Sequence, residues 1–114
     1  MTPAKPKHPR RGDVWRISFD AAVGEEIKKT RPALIVSNNA SNANLNRVQV
    51  VPLSSSTANL YPSEAYVTVK NRRSKAAADQ LTTASNQRLI KRLGRISAEE
   101  LEDVAQAIRT QLAL

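Results

Sequence analysis

The 114-residue sequence has no cysteine, one histidine and three glycines. Without cysteine there is no disulfide framework and no thiolate metal site, and a reducing compartment is permitted. With His8 alone, a Ser-His-Asp triad is nearly excluded. The carboxylates are scattered or grouped without ligand spacing, so a catalytic metal has little support and no cofactor is expected. Gly12, Gly24 and Gly94 stand far apart and form no glycine-rich phosphate loop. Trp15, Phe19, Tyr61 and Tyr66 are too few for an extended base-stacking platform. No apolar run is long enough to cross a bilayer. The N-terminal MTPAKPKHPRR has no apolar h-region and does not read as a secretory signal. The expectation is a soluble, cytoplasmic protein with no membrane partner. Residues 1–10 read as a flexible basic tail and residues 11–114 as one domain.

What the sequence does have is positive charge. Its formal net charge is +8 and its pI about 10.5. Lys5, Lys7, Arg10 and Arg11 place part of the excess in the tail. Glu99, Glu100, Glu102 and Asp103 gather much of the acid near the C-terminus. Residues 12–97 therefore hold 13 cations against 6 acids. A polyanionic partner fits this balance. Charge alone fits a merely soluble basic protein equally well.

Residues 13–19, DVWRISF, put Trp15, Ile17 and Phe19 on one face with period two, the mark of a strand. Strands are also expected over 33–37, 48–53, 65–69 and 76–81, with another within 87–96. Pro52 suggests an edge or a bulge. Gly94 suggests a bulge or bend. Asparagine-rich 38–44 reads as a polar connection with one turn of helix, and 71–75 as a basic turn. The clearest helix is the last. Ser97 and Glu100 are spaced as a capping box, and Leu101, Val104, Ala105, Ile108 and Leu112 follow as one apolar stripe. Glu99, Glu100, Glu102 and Asp103 lie near its N-terminus, where the helix dipole favours acids. This order predicts a small, strongly bent antiparallel sheet or barrel with a C-terminal helix.

The chemistry-bearing residues form a metal-free set. Arg31 precedes an apolar run, and Pro32 biases it toward extended backbone. Ser54, Ser55 and Ser56 end the third strand, Asp79 and Gln80 the fifth, and Glu25 and Glu26 precede Arg31. A cation, a hydroxyl and a carboxylate meeting at converging strand ends would suit RNA cleavage by the substrate's own 2′-hydroxyl. Arginine would stabilise the extra negative charge with a rigid fork of donors. A guanidinium holds its proton too firmly to act as a base, so a carboxylate would share the proton transfer. Read singly, these residues fit blander roles. Arg31 fits an ion pair with Glu25 or Glu26, the serines a turn, and Asp79 a cap or a pair with Arg88. Arg72, Arg73 and Lys75 fit a solvated loop tip as well as a phosphate-steering patch.

Several segments, taken in order, resemble the MazF/PemK family of toxin endoribonucleases. They are Arg11-Gly12-Asp13-Val14-Trp15, Val23-Gly24-Glu25-Glu26 and Lys29-Thr30-Arg31-Pro32-Ala33-Leu34-Ile35-Val36-Ser37-Asn38. Val50-Val51-Pro52-Leu53-Ser54-Ser55, Ala78-Asp79-Gln80-Leu81 and Arg88 to Ile96 follow in order.

The resemblance implies a mainly β, SH3-like antiparallel barrel of the MazF/CcdB type with a C-terminal α-helix. It implies a homodimer that cuts single-stranded RNA, chiefly mRNA, at short sequences and without a metal, leaving 2′,3′-cyclic phosphate and 5′-hydroxyl ends. It further implies a cognate antitoxin whose acidic C-terminal segment covers the RNA groove, with operator DNA reached only through that complex. The family's catalytic arginine matches Arg31, its catalytic threonine or serine Ser54, and its proposed base Asp79. Glu26, Lys28, Ser55 and Gln80 fall where the family contacts RNA. The chain departs from the family where Thr82 replaces an arginine, Ser85 an aspartate, and Ala77 a proposed acid arginine. That last loss throws more of the charge stabilisation onto Arg31. The alternative is a non-enzymatic protein on the same fold, either a CcdB-like topoisomerase poison or a nucleic-acid-binding module.

Overall fold

The computed structural model of the protein describes residues 8–19 and 30–114. Lys5 and Lys7 of the tail, and Gly24, Glu25, Glu26, Lys28 and Lys29 of the charged loop, lie outside the described residues.

The chain runs β1 (Asp13–Ser18), β2 (Thr30–Ile35), α1 (Asn39–Asn44), β3 (Arg47–Ser54), β4 (Glu64–Val69) and β5 (Arg72–Ala77). A 3₁₀ turn over Ala78–Gln80 leads to β6 (Thr82–Ser85). A second, over Asn86–Arg88, leads to β7 (Leu89–Arg95), and α2 (Ala98–Leu112) ends the fold. All pairings are antiparallel, in the order β4-β5-β3-β2-β1-β7, with β6 added beside β3. The sheet curls into a half-barrel with the helix against one side, as the sequence pattern leads one to expect. Among the described residues no helix is long and apolar enough to cross a membrane.

Both faces of the sheet are buried. Side chains alternate along each strand, so Val14, Leu34, Val51 and Leu53 join Val67, Ala76 and Val104 of α2 in one cluster. Ile17, Ala33, Ile35, Val48, Val50 and Ala84 fill the other, with Trp15, Phe19 and Leu89 packed against it. Trp15 is thus a core residue.

Pro52 is not at a sheet edge. Upstream of it, Arg47–Val50 pair with β6. Downstream, Leu53 and Ser54 pair with Ala76 and Lys75 of β5. The residue without an N–H sits in the gap where β3 changes partner, which is where a missing ladder bond costs least.

Three expectations need correction. Residues 72–75 are not a turn but the first part of β5. The turn itself is the two residues Lys70 and Asn71, at φ 50° and 65°, as a tight type I′ hairpin requires. The fifth strand stops at Ala77, and a separate β6 follows the 3₁₀ turn. The alanines at 76–78 and the Thr-Thr-Ala-Ser run at 82–85 carry little hydrophobic signal, so neither boundary was marked in the sequence. Leu112, assigned to the apolar stripe of the last helix, is instead half exposed.

The capping box is only half formed. Ser97 Oγ accepts from the Glu100 N–H at 3.1 Å, but the Glu100 carboxylate accepts from the Thr68 N–H of the outer strand β4 at 3.1 Å. The expected bulge near Gly94 is present: the β1–β7 register shifts between Val14↔Gly94 and Trp15↔Arg92.

The entry to the fold is fixed by one buried carboxylate. Asp13 Oδ2 accepts from the Arg10 N–H at 3.0 Å. Its Oδ1 accepts from Arg95 Nη1 at 3.0 Å and lies 3.3 Å from Arg92 Nε. Gly12, at φ 97°, lets the chain turn into β1 beneath the Arg95 guanidinium. Replacing Asp13 by alanine strips these donors of a charged acceptor. The expected loss is about 1–3 kcal/mol of unfolding free energy. An unchanged midpoint in urea would refute this role for Asp13.

Candidate functional site

Arg31 is the second residue of β2, inside the strand rather than in the loop before it. It faces the same side as its cross-strand partner Ile17. β2 and β3 pair as Ala33↔Pro52, Leu34↔Val51 and Ile35↔Val50. Continued toward the start of β2, that register brings Arg31 opposite Ser54. Arg31 Nη2 reaches the Leu53 carbonyl at 3.4 Å, a long contact and its one hydrogen bond among the described residues. The sheet therefore brings together the two residues that the sequence reading singled out at separate strand ends.

Ser54 is the last residue of β3 and pairs with Lys75. Its Oγ accepts from the Ser56 N–H at 3.1 Å. A hydroxyl has one donor and two acceptor sites, so this bond leaves the O–H free to donate to an incoming oxygen. Ser55 is exposed in the turn that follows. Thus one end of the β2–β3 pair presents a guanidinium and a hydroxyl, both with donors not engaged among the described residues. That is the equipment for holding an anionic oxygen.

Asp79 and Gln80 are not part of this pair. They lie exposed in the 3₁₀ turn beyond β5. Asp79 lines a shallow depression with Tyr61, Ser63, Glu64 and Gln111. Among the described residues no hydrogen bond or ion pair joins Asp79 to Arg31 or Ser54. By strand rise it stands roughly 10 Å along β5 from the Ser54↔Lys75 pairing. Glu26 and Lys28 lie outside the described residues. Ala77 is buried at the end of β5, opposite Glu64. Thr82 pairs with Val50, and the Ser85 hydroxyl accepts from the Gln87 N–H.

The segment between Ser54 and β4 is tied down by residues the sequence reading did not nominate. Lys75 Nζ donates to the Asn59 carbonyl at 2.8 Å and lies 3.3 Å from Glu64. Glu64 Oε1 also accepts from the Tyr61 N–H at 2.9 Å. Tyr66 Oη donates to the Thr57 carbonyl at 2.8 Å, and Arg73 lies over its ring at 3.5 Å. So Lys75 and Arg73, read from sequence as a possible phosphate patch, are engaged within the fold. Only the period-two placement of Glu64, Tyr66, Arg73 and Lys75 on facing strands would have signalled this.

The chain matches the family model described as PemK-like, MazF-like toxin of type II toxin-antitoxin system over residues 10–112. It belongs to the PemK/MazF toxin family. Endoribonuclease MazF9 of Mycobacterium tuberculosis is 34% identical over 114 residues, covering 92% of this chain and 97% of that one. A solved endoribonuclease from a mycobacterial species has a TM-score of 0.77 at 27% identity, over 95% of this chain and 94% of the other. A mycobacterial endoribonuclease solved with its cognate antitoxin has a TM-score of 0.77 at 28% identity, over 93% and 96%. The PemK/MazF match takes in the Arg31–Ser54 pair, the Asp79-Gln80 turn and the last helix.

Tyr66→Phe removes one anchor of the 55–63 segment. We expect faster hydrogen exchange at residues 57–60 and a loss of about 1 kcal/mol in stability. Unchanged exchange there would show that the tyrosine hydroxyl does not hold the loop.

Proposed function

We propose that the protein is the toxin of a type II toxin–antitoxin pair and a metal-independent endoribonuclease of single-stranded RNA. The observation that supports this reading is the Arg31 contact to the Leu53 carbonyl beside Ser54, with the β2–β3 register extending toward that pair, in a chain 34% identical to an endoribonuclease. The 2′-hydroxyl of the substrate attacks the adjacent phosphorus. As that O–P bond forms, the bond to the 5′-oxygen breaks, leaving a 2′,3′-cyclic phosphate and a 5′-hydroxyl. One proton leaves the 2′-oxygen and another reaches the departing 5′-oxygen. The protein need not supply a nucleophile.

In this reading the Arg31 guanidinium and the Ser54 O–H donate to the non-bridging oxygens, whose charge grows in the transition state. Donors aimed at developing charge are the largest single contribution in many enzymes. Asp79 is the carboxylate nominated for proton transfer, and Gln80, Ser55, Glu26 and Lys28 would contact flanking RNA. A mycobacterial relative solved with its cognate antitoxin supports an antitoxin partner here, with an acidic segment competing for the same cations. The homodimer expected of the family finds an available edge in β7, an outer strand with Ile90 exposed.

Arg31→Ala should lower RNA cleavage in EDTA at least ~10²-fold while leaving the circular dichroism and melting curve near wild type. Full activity in that variant would overturn the assignment. Asp79→Asn separates two roles. A fall in kcat at unchanged KM marks a group that moves a proton, and a rise in KM marks a contact to a flanking nucleotide.

A further inference from the structure

On the other face of the β2–β3 pair from Arg31 and Ser54 is a second cavity, of about 440 Å³. Its floor is apolar, with Pro32 from β2, Leu53 from β3 and Leu93 from the bulge in β7. Its rim carries Arg16, Lys70 and Arg72, and among the described residues no acid lines it.

Three further observations show that this hollow is shaped and charged. First, Gly94 admits the β4–β5 hairpin. A Cβ there would stand 3.0 Å from Val69 Cγ1, so the missing side chain lets Val69 close one wall. Second, the hairpin turn is held by Lys70 and Asn71 at positive φ. Lysine tolerates that region poorly, so the turn fixes a cation where glycine would cost less. Third, Arg16 stands in the interior of β1 directly opposite Lys91 of β7. Like charges in facing positions destabilise a sheet. Among the described residues, Arg16, Lys70, Arg72 and Lys91 have no ion pair, whereas Arg92 and Arg95 share Asp13 and Lys75 has Glu64. An anion placed beside Arg16, Lys70 and Arg72 offsets the repulsion between Arg16 and Lys91.

We propose that this cavity seats one nucleotide of the RNA strand, next to the nucleotide that is cut. The base lies against Pro32, Leu53 and Leu93, within reach of the Ser74 hydroxyl, and its phosphate lies between Arg16 and Arg72. The volume falls in the range of about 300–1,000 Å³ usual for small-molecule sites. The seat is adjacent to the cleavage pair through the chain itself: Pro32 follows Arg31, and Leu53 precedes Ser54. The strand crosses the end of the β2–β3 pair, so the RNA passes from one face of the sheet to the other. The identity of the base in this seat then sets part of the cleavage sequence. This inference rests on the endoribonuclease reading for its choice of ligand.

The probe is a short mixed-sequence oligoribonucleotide with every 2′-hydroxyl methylated, which binds without being cut. Arg16→Gln and Arg72→Gln should each weaken its binding about tenfold. Each should also lower the slope of log K against log salt by about 0.7, the value for one phosphate contact on a single strand. Arg109→Gln, on α2 beside Glu102, loses the same charge and should do neither. If Arg16→Gln and Arg72→Gln behave like Arg109→Gln, the seat is refuted. In an NMR titration with adenosine 5′-monophosphate, methyl signals of Leu53, Val69 and Leu93 should shift. Shifts confined to other methyls would also refute it. The two readings fail separately. Wild-type protein that leaves RNA intact in EDTA, while both arginine variants still bind weakly, overturns the nuclease and keeps the seat. Arg31→Ala abolishing cleavage, while both arginine variants bind normally, overturns the seat and keeps the nuclease.

Discussion

A proline inside an interior strand is the constraint from which the architecture follows. β3 cannot carry an unbroken ladder through Pro52, so it is paired with β6 before that residue and with β5 after it. The change of partner turns the β4–β5 hairpin away from the main sheet and over its side. There α2 can pack Val104 and Ala107 against Ala65 and Val67. The same break leaves Ser54 at the end of β3, its backbone paired to Lys75 and its Oγ accepting from the Ser56 N–H. On the side that Pro52 leaves undisturbed β2 pairs with β3, and that register, continued, sets Arg31 across from Ser54.

The second determinant is how the fold distributes its charge. A net +8 says only that cations are in excess. The structure sorts them. Asp13, buried, gathers Arg92 and Arg95, and Glu64 holds Lys75. The ring of Tyr66 takes Arg73. The carboxylates at the start of α2 belong to the helix dipole and, through Glu100, to the outer edge of β4. Among the described residues, the cations without a carboxylate partner include Arg31 at the strand end and, on the opposite face, Arg16, Lys70 and Arg72 around the cavity, with Lys91 facing Arg16. A polyanion is drawn to the molecule by all of these charges together, but only the uncompensated ones can hold it in register.

Much of this was legible in the chain itself. The period-two run of Trp15, Ile17 and Phe19 marked β1, and Ser97 with the stripe that follows marked α2, because both patterns are long enough to average out local accidents. The tight hairpin was misread because Lys70 and Asn71 are not the residues that usually signal a turn needing two positive φ values. β6 was missed because Thr82–Ser85 has a single buried side chain, Ala84. Pairing across long sequence distances was the other blind spot. That Arg31 meets Ser54 depends on strand register, while the loop anchors at Lys75 and Tyr66 are long-range hydrogen bonds that no periodicity announces. The separation of Asp79 from Arg31 depends on where β5 stops, and alanine-rich sequence marks that point weakly.

The position of α2 also bears on when the protein becomes active. The hairpin that carries Lys75 is joined to the main sheet by only two register pairs, Leu53↔Ala76 and Ser54↔Lys75. It is otherwise held by packing of α2 on β4 and on the 3₁₀ turn. β1 in turn needs β7, more than seventy positions later, as one of its two neighbours. During synthesis, therefore, β1 to β3, with Arg31 and Ser54, leave the ribosome before the elements that pack against them. A chain without α2 has Arg31 and Ser54 but lacks the packing that holds the β4–β5 hairpin beside them.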